Sequence, residues 1–173
     1  MTHDICGVPV TVVGTMPPTL DPILYEWRIY SGPKLTCLYV GMAKNGADRP
    51  LKTYPNVVKD LRSNRGKKHI GQIPINYYLK NRQWDFRWIH HELESCVNHI
   101  LLGNLENKRI ELSFPNFENS KTLRHEESTA IDRVEIMHAG TTVVANGRPC
   151  MRVLYKKAPH LLDSIWLTGS NKT

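Results

Sequence analysis

Two apolar stretches joined by a tight turn constrain the fold of this chain most. Residues 23–30 alternate well enough for a first strand, and residues 35–40 form a second, more apolar strand. The turn between them, Ser31-Gly32-Pro33-Lys34, contains residue types that tight turns favour. The pattern therefore predicts a β-hairpin in the first quarter of the chain.

The end of the second strand brings together groups that suit a phosphate. Tyr39 is followed by Gly41, which permits a close backbone approach or an unusual φ angle. Lys44 and Arg49 come next, and the planar guanidinium of Arg49 can hold two phosphate oxygens at once. The segment thus offers a phenol, backbone N–H groups and two cations to a single phosphate.

The rest of the pattern mixes helices and strands, which indicates one α/β domain. A helix is predicted to begin near Asp48 and to end at Gly66, with a kink at Pro55. Thr122 is a suitable cap for a later helix that continues to about His138. Further strands are predicted at 84–90 and 110–114, a helix at 91–102, and extended segments at 142–145 and 151–155.

The chain is strongly basic for its length, which favours a polyanionic partner. It carries a formal net charge of +7 over 173 residues, and its sequence pI is about 9.3. Four cations lie close together at Arg62, Arg65, Lys67 and Lys68. This cluster is predicted to contact nucleic-acid phosphates, although a solvated loop would carry the same residues.

Other classes of protein fit the sequence less well. No apolar run approaches the roughly 20 residues that cross a bilayer, and the N-terminus lacks the pattern of a signal peptide. The four cysteines are scattered and include no C-x-x-C pair, which is typical of reduced thiols rather than of a zinc site. We therefore expect a cytoplasmic protein without a membrane partner.

Hydrolysis of a phosphodiester is the chemistry that these residue types serve best. A water must be deprotonated, the charge of the phosphate must be neutralised, and the leaving oxygen must be stabilised. Tyr25 and Tyr39 lie on the paired strands of the hairpin and line one pocket if they face the same side. Glu127, on the helix that Thr122 caps, is a carboxylate that can hold a divalent metal.

The order Tyr25, Tyr39-Val40-Gly41, Arg49 and Glu127 resembles the GIY-YIG nuclease superfamily. The resemblance implies an α/β (α+β) fold in which helices flank a small three-stranded sheet. It covers roughly residues 22–65 and 122–147. In the first half of the motif, Ile23 and Leu24 stand where the family has glycine and isoleucine.

The resemblance also implies a role for each site residue. Tyr25 or Tyr39 would activate or orient the water, Arg49 would hold the scissile phosphate, and Glu127 would hold Mg²⁺ or Mn²⁺, with Glu126 as the alternative one position earlier. Tyr54 matches the family's histidine or tyrosine and would assist together with Lys44. Asn146 matches the family's asparagine, and Gly41 completes the second half of the motif.

Several of these residues also have a structural interpretation. Tyr25 and Tyr39 are each typical of half-buried strand aromatics, and Asn146-Gly147 is typical of a turn. His90 and His91 point to opposite faces if they lie on a strand, so they do not bind one ion. His90 is therefore predicted either to contact a phosphate or base near the cleft or to play a structural part.

These observations predict one GIY-YIG-like domain over residues 1–173, with an N-terminal arm at 1–21 and an insertion at about 66–121 that includes the third strand. The predicted function is a metal-dependent DNA endonuclease of the sequence-specific restriction type. Its partner would be DNA, and cutting both strands would require a homodimer or sequential steps. The alternatives are a non-catalytic nucleic-acid-binding module on the same scaffold and a repair or structure-selective nuclease.

Overall fold

The computed structural model describes residues 1–5, 7–18, 20–53, 71–80, 105–117, 122–154 and 156. The strands are β1 Thr2–Ile5, β2 Val8–Val13, β3 Ile23–Ser31, β4 Lys34–Ala43, β5 Lys108–Ser113 and β6 Val143–Val144. The helices are α1 Ile73–Lys80, α2 Leu123–Met137 and α3 at 148–154, with a π-helical turn at Arg49–Thr53 and a 3₁₀ turn at Leu105–Asn107.

The strands form one mixed sheet in the order β1-β2-β5-β3-β4-β6. The β2–β5 and β4–β6 pairs are parallel, and the other neighbours are antiparallel. A mixed sheet with flanking helices confirms the α+β class. The sheet has six strands where the resemblance implies three, and the antiparallel trio β5-β3-β4 lies at its centre.

The N-terminal arm predicted at 1–21 contains two strands, β1 and β2, which both join the sheet. In β2, buried Val10 and Val12 alternate with exposed neighbours, which is the pattern of a strand with one face against the core. Because β2 pairs with β5, the arm extends the sheet instead of lying on it. Residues 15–18 and 21–24 then border a cleft of about 540 Å³ with residues 114–117.

The predicted hairpin is confirmed by β3 and β4. Tyr25 pairs with Gly41 and Trp27 with Tyr39, so all four residues lie on the same face of the sheet. A register shift at Ile29 separates this regular part of the ladder from the turn. The two tyrosines therefore point to one side, as a shared pocket requires.

The two faces of the sheet are covered by different helices. The face that carries Tyr25 and Trp27 packs against α1, through Ile75 and Leu79, and against Leu154 of α3. The opposite face carries Leu38 and Val40, which pack with β6 and with three residues of α2, namely Ala130, Ile131 and Val134. Helix α2 starts where it was predicted, because the Thr122 hydroxyl accepts a hydrogen bond from the N–H of His125.

The prediction of an extended segment at 151–155 is wrong for residues 151–154, which belong to a helix at 148–154. Pro149 suits a first helical turn, and the core-facing Met151 and Leu154 recur at helical spacing. The strand predicted at 110–114 is confirmed as β5, which lies within the predicted insertion. The strand at 84–90, the helix at 91–102 and most of the helix after Asp48 lie outside the described residues.

The described part of the chain has no helix long and apolar enough to cross a bilayer. Neither Cys37 nor Cys150 forms a disulfide within the described part of the chain. Burial in the core raises the pKa of the Cys37 thiol far above its ordinary value, so this residue is neutral and packs as a small apolar side chain.

Candidate functional site

Two phenols lie side by side on one face of the β3–β4 hairpin. The ring centroids of Tyr25 and Tyr39 are 6.4 Å apart, and the ring planes are inclined by 33°. Tyr25 is 1% exposed and Tyr39 is 7% exposed, so both rings belong to the core. Their arrangement comes directly from the register of the hairpin, in which the two positions are diagonal neighbours.

Gly41 makes room for the first of these rings. A Cβ atom placed on Gly41 would lie 2.2 Å from Cζ and 2.4 Å from the hydroxyl oxygen of Tyr25. No side chain fits in that space, so the Tyr25 ring crosses the backbone of β4 only because residue 41 is glycine. The link between Tyr25 and Gly41 is therefore a packing requirement of the site.

Gln72 joins the two hydroxyl groups and was missed in the sequence. Its Nε2 donates a hydrogen bond of 3.3 Å to the Tyr25 hydroxyl, and its side chain also hydrogen-bonds to Tyr39. Gln72 is buried and lies in the turn that leads into α1. A lone glutamine before a helix belongs to no motif or spacing, so no sequence signal points to it.

The Tyr39 hydroxyl is held in its neutral form. Burial is the main cause that raises the pKa of Tyr39 well above its ordinary value, and Tyr25 and Glu127 raise it further. The hydrogen bond from Gln72 and the charge of Arg49 act in the opposite direction but do not cancel the rise. Tyr39 is therefore a neutral phenol at physiological pH, able to donate or accept a hydrogen bond.

Glu127 lies in the second turn of α2, near the end of β4. Burial raises the pKa of Glu127, while Arg49, Arg124 and a hydrogen bond from the backbone of Met42 lower it by a smaller amount. Glu127 thus interacts with the strand that carries Tyr39.

Arg49 connects the phenols with the carboxylate. It begins the π-helical turn that follows β4, and its side chain is exposed. Its charge acts on both Tyr39 and Glu127. The structure therefore brings Tyr25, Tyr39, Gly41, Arg49 and Glu127 together around one end of the hairpin, although they are up to a hundred positions apart in the chain.

Asn146 supports this end of the sheet from the neighbouring edge. Its Oδ1 accepts a hydrogen bond of 3.3 Å from the Val40 N–H, and its Nδ2 donates to the Val40 carbonyl oxygen. The N–H of Ala145 donates to the Leu38 carbonyl oxygen at 2.7 Å. The amide of Asn146 therefore continues the pairing of β6 with β4 by one step and fixes the strand beside Tyr39.

The other predicted site residues either have no described contact with the phenols or lie outside the described part of the chain. Lys44 is exposed in the turn after β4, and no described contact links it to the phenols. The residues at 54, 62, 65, 67, 68 and 90 lie outside the described part of the chain, so the predictions for Tyr54, Arg62, Arg65, Lys67, Lys68 and His90 remain predictions.

The described residues contain no group of three or more His, Cys, Asp and Glu side chains that could hold a metal ion. Glu127 is nevertheless compatible with a hard cation. Mg²⁺ in phosphoryl-transfer sites is commonly bound by one or two carboxylates and completes its shell with waters and substrate oxygens. A single carboxylate beside an exposed guanidinium fits that mode of binding and does not fit a closed structural site.

No family model matches the chain, and no curated protein or solved structure matches it either.

Proposed function

We propose that this protein is a metal-dependent endonuclease of the GIY-YIG type that hydrolyses phosphodiester bonds in DNA. The observation that supports it best is the joint placement of Tyr39, Arg49 and Glu127, which act on one another electrostatically. In this proposal the antiparallel trio β5-β3-β4 of the six-stranded sheet would correspond to the three-stranded sheet that the resemblance implies.

The exposed guanidinium of Arg49 would bind the scissile phosphate. Its fork of N–H donors suits two phosphate oxygens, and its position at the end of β4 leaves it open to solvent. The neutral phenols, linked by Gln72, would orient the attacking water by hydrogen bonding. Positive charge next to Tyr39 favours its phenolate, and Arg49 already acts in that direction.

Glu127 would hold the metal ion. Bound Mg²⁺ would neutralise charge on the phosphate and stabilise the leaving oxygen. Because burial raises the pKa of Glu127, the ionised carboxylate lacks full compensation from the protein, and a cation would supply it. Asn146 would act as a positioning residue through Val40, next to Tyr39.

The altered first half of the motif does not count against activity. Ile23 and Leu24 are almost completely buried, and Ile23 belongs to the core beside Tyr25. Their replacement of glycine and isoleucine changes packing and removes no polar group from the site. A non-catalytic nucleic-acid-binding module is the second candidate, because the described residues show only one carboxylate suited to a metal.

A plasmid-nicking assay separates the two candidates. We expect the protein to convert supercoiled plasmid into nicked or linear forms with Mg²⁺ or Mn²⁺ and to leave it intact with EDTA. Binding without cleavage across several divalent metals would favour the non-catalytic module. Sequencing the fragment ends tests the finer proposal of a restriction-type cutter, since scattered ends or a preference for branched substrates would contradict it.

A further inference from the structure

An open groove of about 510 Å³ lies on helix α3, and none of the site residues assigned above lines it. Its lining consists of Arg148, Met151, Arg152 and Lys156. We propose that this groove binds the phosphate backbone of duplex DNA next to the candidate active site. The choice of DNA as the occupant rests on the proposed function.

Two cations lie along one side of α3, and a third follows beyond its end. Arg148 and Arg152 are four residues apart, which is about 6 Å of axial rise in a helix, and Lys156 comes four residues after Arg152. All three are exposed, while Leu154 on the inward side is fully buried. The helix therefore fixes its basic stripe by packing its apolar side into the core.

The three cations of the groove carry charge that the described residues do not neutralise by an ion pair. No ion pair within the described part of the chain involves any of the three cations, and no acidic residue lines the groove. The nearest acidic contact is Glu135, whose Oε1 accepts a hydrogen bond from the backbone N–H of Arg148. That contact caps the first turn of α3 and does not involve the guanidinium.

Gly71 packs between Met151 of the groove and Asn146 of the candidate site. A Cβ atom on Gly71 would lie 3.2 Å from Sδ of Met151 and 2.9 Å from Cβ of Asn146, so this glycine is packed between them. The next residue, Gln72, is the one that binds the Tyr25 hydroxyl. A DNA strand cut near Tyr39 would thus have a basic surface beside it.

Charge complementarity selects the phosphate backbone over the base edges as the contact. Duplex DNA carries a negative charge about every 1.7 Å along its axis, and the three cations of the groove meet several phosphates of one strand. Met151 adds an apolar floor but no hydrogen-bond donor with which to read bases. The groove is therefore expected to contribute affinity that depends on salt and not on sequence.

The test compares two pairs of charge reversals in the Glu127→Gln background, so that bound DNA is not cut. The groove pair is Arg152→Glu with Lys156→Glu, which leaves the capped Arg148 in place. The control pair is Lys34→Glu with Arg133→Glu, two exposed cations away from the groove lining that change the net charge by the same amount. Affinity for a short fluorescent duplex is measured by anisotropy over a range of salt concentrations without divalent metal.

We expect the groove pair to weaken binding about tenfold and to flatten the slope of log affinity against log salt by about two, one unit for each lost phosphate contact. The control pair should leave that slope unchanged. The neutral pair Arg152→Gln with Lys156→Gln, which carries no new repulsion, should flatten the slope by the same amount. An equal loss of DNA affinity in the groove pair and the control pair would overturn the proposal. So would an unchanged salt slope in both the charge-reversed and the neutral groove variants.

The same measurements distinguish this inference from the nuclease assignment. One outcome is a wild-type protein that binds DNA with a salt dependence that the groove substitutions flatten, and yet cuts no DNA. That result would support the groove and reject the endonuclease. Full cleavage by a protein whose DNA affinity does not change when the groove charges are removed would support the endonuclease and reject the groove. A wild-type chain that binds no duplex DNA would contradict the groove outright.

Discussion

The ring of Tyr25 lies against the backbone of Gly41 so closely that a Cβ atom there would come within 2.2 Å of its Cζ. Gly41 thus determines where one phenol of the candidate site can lie. Because Tyr39 lies diagonally across the same hairpin, the glycine also sets the separation of the two phenols.

Gly41→Ala is expected to destabilise the protein by about 1–3 kcal/mol, because the new methyl group forces the Tyr25 ring out of its place. Urea denaturation measures the change through the midpoint. In a Tyr25→Leu background the same substitution should cost much less, since the colliding ring atoms are gone. Equal costs in both backgrounds would show that the ring contact is not the cause.

Glu127→Gln is expected to raise the melting temperature at pH 7, or at least not to lower it. The folded protein raises the pKa of Glu127, so the carboxyl group stabilises the fold below its unfolded pKa and loses this contribution as pH rises through the folded value. The amide stays neutral throughout. The melting temperatures of the wild type and Glu127→Gln should therefore differ at pH 7, with the variant higher, and should be similar at pH 4.

Tyr39→Phe is expected to make the protein more resistant to alkali. Burial raises the pKa of Tyr39 above that of an unfolded tyrosine, so the wild type loses stability once pH rises beyond about 10, the unfolded value. Phenylalanine has no proton to lose. The difference between the two denaturation midpoints should be constant at neutral pH and should shift in favour of the variant above pH 10.

Asn146→Ala is expected to cost about 1–3 kcal/mol, because Val40 loses both partners of its backbone N–H and C=O groups. It should also slow cleavage, since Val40 precedes Gly41 and follows Tyr39. Asn116→Ala, at an exposed position, is the control and should change neither property. A wild-type unfolding midpoint for Asn146→Ala would contradict the assigned hydrogen bonds.

The sequence predicted those features that arise from local patterns. The hairpin was visible because the alternation in β3 and β4 is joined by a turn, and α2 was visible because Thr122 caps it. The order Tyr25, Tyr39, Arg49, Glu127 pointed to residues that the structure does bring together. Their chemical roles remain predictions.

The features that the sequence did not predict depend on contacts distant in the chain. The pairing of β2 could not be predicted, because its partner β5 lies about a hundred residues away and a parallel pairing leaves no local signal. Gln72 was missed because its importance comes only from the phenols around it. The helical form of α3 could not be predicted from Met151 onwards, because the apolar stretch there is too short for its periodicity to distinguish a helix from a strand.

The central claim is that the carboxylate beside Arg49 and Tyr39 supports DNA cleavage, and one comparison of rates tests it most directly. Nicking of supercoiled plasmid with Mg²⁺ is measured for the wild type, Glu127→Gln and Glu126→Gln. We predict that Glu127→Gln is at least about 100-fold slower, whereas Glu126→Gln, which removes the same charge one position away, stays close to the wild type. Cleavage at the wild-type rate by Glu127→Gln would contradict the account.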